Sequence, residues 1–102
     1  MNVTVHNVKG SNEISKQAPF PYGSWLQYWE GVSGFEIEPD KLYNCPACGK
    51  AITREHFDGC HVQKAGIVDQ KWYIIPLCDS CNHKTGMFSV DGDLLVPVPS
   101  NL

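Results

Sequence analysis

The sequence predicts a small α+β fold organised around two cysteine pairs, and three observations carry that prediction. Two C-x-x-C knuckles, Cys45-Pro46-Ala47-Cys48 and Cys78-Asp79-Ser80-Cys81, stand 29 residues apart. Short runs rich in β-branched and aromatic residues lie before, between and after them. A single stretch of helical periodicity precedes the first knuckle.

Residues 2–9 alternate, with Val3, Val5 and Val8 apolar, and read as a strand. Residues 10–23 hold Gly10, Pro19, Pro21 and Gly23 and read as an irregular arm. Ser24 is a good N-cap for a helix from Trp25 to about Gly31, ended by Gly31 or Gly34. Trp25, Leu26, Tyr28 and Trp29 supply its apolar face, with Trp25 and Trp29 one turn apart. That face reads as core packed on the cysteine module, or, less simply, as an aromatic platform for bases. Residues 35–42 lead into the first knuckle, where Gly49 permits the tight turn.

Between the knuckles, Ala51-Ile52-Thr53 reads as a strand and Arg54 to Cys60 as polar and turn-like, with Asp58-Gly59 as the reversal. His61-Val62 opens a further strand, Lys64 to Lys71 is a loop, and Trp72 to Ile75 is a strand whose pairing Pro76 ends. Beyond the second knuckle, Asp79 or Ser80 can cap a short helix over residues 82–85, stopped by Gly86. Phe88-Ser89-Val90, the Asp91-Gly92-Asp93 turn and Leu94-Leu95-Val96 read as a terminal hairpin. The order knuckle, hairpin, knuckle, short helix is that of a treble clef. The expected organisation is one domain over 1–102: arm and aromatic helix in 1–40, cysteine module in 45–86 and terminal hairpin in 87–99.

Four thiolates from two such pairs make a tetrahedral sulfur set, which suits a structural zinc ion held by Cys45, Cys48, Cys78 and Cys81. The fifth cysteine, Cys60, is left over. The start of the chain, MNVTVHNVKG, lacks the apolar stretch of a secretion signal, so paired disulfides are not expected and a cytoplasmic location is. No run approaches the roughly 20 apolar residues of a membrane span. With 42% apolar and 19% charged residues the chain has the makings of a packed core. Its net charge of −3 argues against strong non-specific binding to nucleic acid, which depends on Lys and Arg contacts to phosphate. Five basic residues (Lys50, Arg54, Lys64, Lys71, Lys84) nevertheless cluster from the first knuckle to just past the second.

The segment from Cys45 to Lys84 resembles the four-cysteine HNH nucleases. The pieces that match are Cys45/Cys48, Cys60-His61-Val62, Ala65-Gly66, Ile75-Pro76-Leu77-Cys78 and Cys81-Asn82-His83-Lys84, about 40 of the 102 residues. Gly23-Ser24-Trp25-Leu26 through Trp29-Glu30, with the Gly-x-His-Val step, are also similar to small phage- or bacterium-borne proteins with an HNH-like centre. The resemblance implies that His61 is a general base activating water against a phosphodiester of DNA. It also implies a second, hard cation (Mg²⁺, Mn²⁺ or Ni²⁺) held near Asn82, with His83 as a substitute. The sequence departs from the pattern at three places, one of them a slightly short spacing from Cys81 to Lys84. Cys60 stands where the family has an acid, and a soft thiol is a poor ligand for Mg²⁺; Asp58 is the nearest carboxylate. The family's central Asn falls near Trp72 or Tyr73.

Each of these residues also has a structural reading. His61 can be a buried histidine or a spare soft-metal ligand, and Cys60 a small buried residue. A Cys60–His61 nucleophilic pair is disfavoured because neighbours on a strand point to opposite faces. Asn82 can simply cap the knuckle helix, Lys84 can hold a phosphate or face a helix C-terminus, and His6 and His56 read as surface residues. Two functions therefore stand side by side: a metal-dependent endonuclease, and a non-catalytic zinc module that binds nucleic acid or a protein partner.

Overall fold

The computed structural model describes residues 1–8, 17–66 and 71–99. Residue 9, at the end of the expected first strand, 10–16, in the expected arm, 67–70, in the expected loop, and 100–102 lie outside the described residues. The elements are β1 (Asn2–Asn7), α1 (Trp25–Ser33), β2 (Tyr43–Asn44), β3 (Ala51–Ile52), β4 (Phe57–Lys64), β5 (Tyr73–Cys78), α2 (Asp79–Asn82), β6 (Met87–Asp91) and β7 (Val96–Pro97). The small α+β class expected from sequence is the one observed. A five-stranded antiparallel sheet runs β6-β1-β4-β5-β7, and β2-β3 forms a separate ribbon carrying the first knuckle. Among the described residues no helix is long and apolar enough to cross a membrane.

α1 starts where the capping chemistry places it. Ser24 accepts the Gln27 N–H through its hydroxyl (3.1 Å), a cap that contributes about 1 kcal/mol. The helix runs past Gly31 and stops at Gly34, whose φ of +79° closes the last turn with its N–H on the Glu30 carbonyl. Leu26, Tyr28 and Trp29 are buried against the sheet, and the polar tips of the two aromatics are satisfied. Tyr28 Oη donates to the Pro97 carbonyl and Trp29 Nε1 to that of Leu94, both at 2.7 Å. The core reading of this face is the one the structure supports, because Trp29 is buried and Trp25 is covered by other rings.

The stretch from Arg54 to Cys60 differs from expectation. Only Arg54–His56 is a turn, and Phe57–Lys64 is one continuous strand through Asp58 and Gly59. Gly59 is there for proximity. A Cβ on it would lie 2.5 Å from the backbone N of Leu26 and 2.7 Å from the carbonyl carbon of Trp25, so α1 can sit on β4 only over a glycine. Alternation then places Phe57, Gly59 and His61 on the α1 face and Asp58, Cys60 and Val62 on the other.

Pro76 likewise lies inside β5, opposite Gly59. Trp72 accepts the Val98 N–H, so by alternation residues 72, 74 and 76 direct their backbone groups to the β7 side. β7 reaches only to Ile74. The missing N–H of Pro76 therefore falls where no strand needs it.

The expected terminal hairpin does not form. β6 pairs with β1 at one edge, and β7 with β5 at the other. The Asp91 carboxylate accepts the Asp93 N–H (3.0 Å), which bends residues 92–94 into a 3₁₀ turn, and the Gly92 N–H goes to the Met1 carbonyl (2.9 Å). From Asp91 to Val96 the chain can reach at most about 18 Å, whereas the outer strands of a flat five-stranded sheet stand about 19 Å apart. The 3₁₀ turn shortens the reach further, so the sheet must curl to bring its edges together. α2 also starts earlier than expected, at Asp79 rather than 82, with Cys78 as its N-cap.

Candidate metal centre

Each cysteine pair is presented by a different device. The first sits on the turn joining β2 to β3, closed by Cys45 N–H to the Lys50 carbonyl and Gly49 N–H to the Cys45 carbonyl, both at 2.8 Å. Gly49 there has a φ of +80°, which favours glycine. The second pair spans the end of β5 and the first turn of α2. The four sulfur atoms of Cys45, Cys48, Cys78 and Cys81 lie within 4.8 Å of one another. Cys48 and Cys78 Sγ are 3.8 Å apart. A tetrahedral ion with bonds to sulfur of about 2.3 Å requires sulfur–sulfur edges of about 3.8 Å. A disulfide would need about 2.05 Å.

The electrostatics also call for a cation. Burial alone would raise the Cys45 thiol, but the N–H groups of Cys78, Cys48 and Ala47 outweigh it and bring the thiol down to about 7. The Cys78 N–H reaches Cys45 Sγ at 3.4 Å. Cys78 and Cys81 are pushed up, first by burial and, for Cys81, by the thiols of Cys78 and Cys48. A bound cation would stabilise the charged form of all four together. Three ligands are buried and Cys48 is exposed.

Cys60 is not part of the cluster. It is 2% exposed on the non-helical face of β4, and its S–H donates to the Asp58 carbonyl at 3.3 Å. Burial, reinforced by the Asp58 charge, pushes its thiol far up. This is an inert buried cysteine.

Of the residues assigned to the second site, Asp58 and His61 lie on opposite faces of β4. His61 is buried on the α1 face, edge-on to the rings of Trp25 (4.8 Å) and Trp72 (5.8 Å), and burial pushes its imidazole down toward the neutral form. Asp58 lies on the opposite face, where its carboxylate accepts from Asn82 Nδ2 at 3.3 Å. His83 is exposed and turns back on its own helix, Nδ1 lying 2.9 Å from the Asp79 carbonyl. His56 is exposed beside Glu55, and His6 is half-buried. Lys84 lies over the Phe88 ring.

His61 and Asn82 do share a pocket of about 160 Å³ with Trp25, Gly59 and Asn7. It opens where β1 stops pairing with β4. The Val8 N–H takes the His61 carbonyl, so by alternation the backbone of Gly59 faces the same side, beyond the end of β1. Asn7 is the residue that sequence reasoning missed. Its Nδ2 donates to the carbonyls of Cys81 and Lys84, both at 2.9 Å, holding the second knuckle. Its Oδ1 is buried and, among the described residues, has no partner, a state that costs about 1–3 kcal/mol. The signal was present, since Val3, Val5 and Asn7 share one face and the third is polar.

No protein-family model, curated protein or solved structure matches this chain.

Proposed function

We propose that the chain is a zinc-stabilised binding module that does not cut phosphodiesters. The observation that carries the reading is the cluster of four cysteine sulfur atoms that brings the two knuckles together. Zinc is the ion that best fits four sulfur donors with tetrahedral spacing. Among the described residues no other group of three or more His, Cys, Asp or Glu side chains converges. A nuclease needs a hard-cation site, and the nearest carboxylate, Asp58, is turned away from His61 and engaged by Asn82. A cytoplasmic setting suits four free thiols reserved for a metal.

The partner is better sought among proteins than nucleic acids. The chain carries −3, and four thiolates holding one divalent ion add two further negative charges. Arg54 is committed to Glu30 at 2.6 Å, and the ammonium groups of Lys64 and Lys84 sit over Tyr73 and Phe88.

One observation favours the second reading, a DNA endonuclease of HNH type. His61, neutral and able to accept a proton, lines one pocket with Asn82. Plasmid nicking with Mg²⁺, Mn²⁺ or Ni²⁺ separates the two. The binding-module reading expects no nicking by zinc-loaded protein with any of these ions. Nicking that is lost in His61→Ala while the zinc is kept would establish the endonuclease.

A further inference from the structure

We propose that the pocket between β1, β4, α1 and α2 binds a protonated amine or guanidinium group, presented by a basic side chain of a partner protein or by a free polyamine. The inference deepens the binding-module reading and rests on it.

The pocket offers acceptors. Asn7 is only 8% exposed, and its Nδ2 is committed to two main-chain carbonyls, which settles which end of the amide is oxygen. Among the described residues the remaining Oδ1, itself fully buried, has no donor. Asn82 repeats the arrangement: its Nδ2 is taken by Asp58, so its oxygen is the end left to bind. The backbone of Gly59, carbonyl and N–H alike, faces the gap beyond β1. His61 adds an imidazole with no hydrogen bond to its ring among the described residues, and Trp25 an indole. Acceptors beside an indole ring suit a cation with several N–H donors.

The wider field has the same sign. The Asn7 amide is bonded to the carbonyl of Cys81, a cluster ligand, so the pocket is one residue from a metal–thiolate centre that carries two negative charges when occupied by a divalent ion. Among the described residues no Lys or Arg lines the pocket. Among the described residues an anion would find only the Gly59 N–H as a backbone donor and an unfavourable potential, and a neutral group would gain only the hydrogen bonds.

The test uses the zinc-loaded full chain, observed by NMR at the Asn7 side-chain amide and the His61 ring. Methylguanidinium should give saturable shifts at both, and methylurea, its neutral isostere, should bind about fivefold more weakly or worse. Asn82→Ala should weaken methylguanidinium several-fold with one zinc still bound. Asn7→Ala, if it retains zinc and fold, should abolish the shifts. An arginine tripeptide blocked at both ends and spermidine distinguish the sources: tighter binding of the peptide points to a partner side chain, tighter binding of spermidine to a free polyamine. Equal binding of methylurea, shifts confined to other residues, or no saturation with any probe would each overturn the proposal. Those failures are read without DNA, whereas failure of the binding-module reading is read as nicking.

Discussion

Asn7 Nδ2 donates to the main-chain carbonyl of Cys81 at 2.9 Å, across 74 residues of sequence. With its second bond to the Lys84 carbonyl, this amide ties the first strand to the turn that carries two metal ligands. Groups that orient a ligand-bearing turn tune the affinity of the site as the ligands themselves do. Asn7→Ala is therefore expected to lose about 2 kcal/mol of stability and to release zinc to a chelator at least tenfold more readily. Urea melts and chelator competition measure both. Unchanged zinc affinity would mean that the second knuckle holds its shape unaided.

Gly59 and Leu26 define how closely helix and sheet approach. Because an added Cβ would meet backbone rather than a movable side chain, Gly59→Ala must lift α1 from β4. A loss of about 3 kcal/mol is expected, at the upper end of overpacking, and thermal melts would report it. A change under about 0.5 kcal/mol, the range of ordinary surface substitutions, would place α1 farther from the sheet than described.

Cys60 is packed away from the metal centre, so Cys60→Ala should keep its full zinc content while losing about 1–2 kcal/mol from the small cavity left behind. In the folded wild type this thiol should also resist alkylation under conditions that label a free surface cysteine. Mass spectrometry of peptides after brief alkylation reads this directly.

The His61 imidazole carries a pH signature. Its folded pKa is lowered by burial, whereas unfolded histidine titrates near about 6.5. The unfolded chain thus takes up the proton first. The stability from keeping this ring neutral is complete above the unfolded value and falls as pH drops through it, by at most about 1.4 kcal/mol per pH unit. Glu30 acts lower. Burial raises its pKa, but Arg54 and the Ile37 N–H outweigh burial, so its contribution is present above the unfolded carboxylate range and is lost only as pH falls through the lowered folded value. His61→Phe, compared with wild type at equal zinc, should flatten the fall in stability as pH drops below about 6.5. Parallel pH curves for the two proteins would show that folding leaves the His61 pKa at its unfolded value.

What could be read from sequence was what depends on local chemistry. The knuckles, the Ser24 cap, the aromatic face of α1 and the strand at Tyr73 each follow from neighbours within a few residues. What could not be read depends on distant partners. Asp58-Gly59 has the composition of a turn, yet Gly59 is glycine because α1 lies on it. Pro76 has the signature of a strand end, yet it sits at a position that β7 leaves unpaired. Asp91-Gly92 looks like a hairpin tip, but Gly92 is bonded to Met1, and the curled sheet carries the next strand to the opposite edge. Asn7 was overlooked because it lies outside the cysteine segment on which the site was read. Only the fold brings it to Cys81.

The most direct measurement is zinc per chain, taken on wild type, Cys81→Ser and Cys60→Ala purified side by side. The account predicts one zinc in wild type and in Cys60→Ala, and loss of tight zinc with a large fall in melting temperature in Cys81→Ser. A full, tightly held zinc in Cys81→Ser, or its loss in Cys60→Ala, would contradict the assignment of Cys45, Cys48, Cys78 and Cys81 as the metal centre.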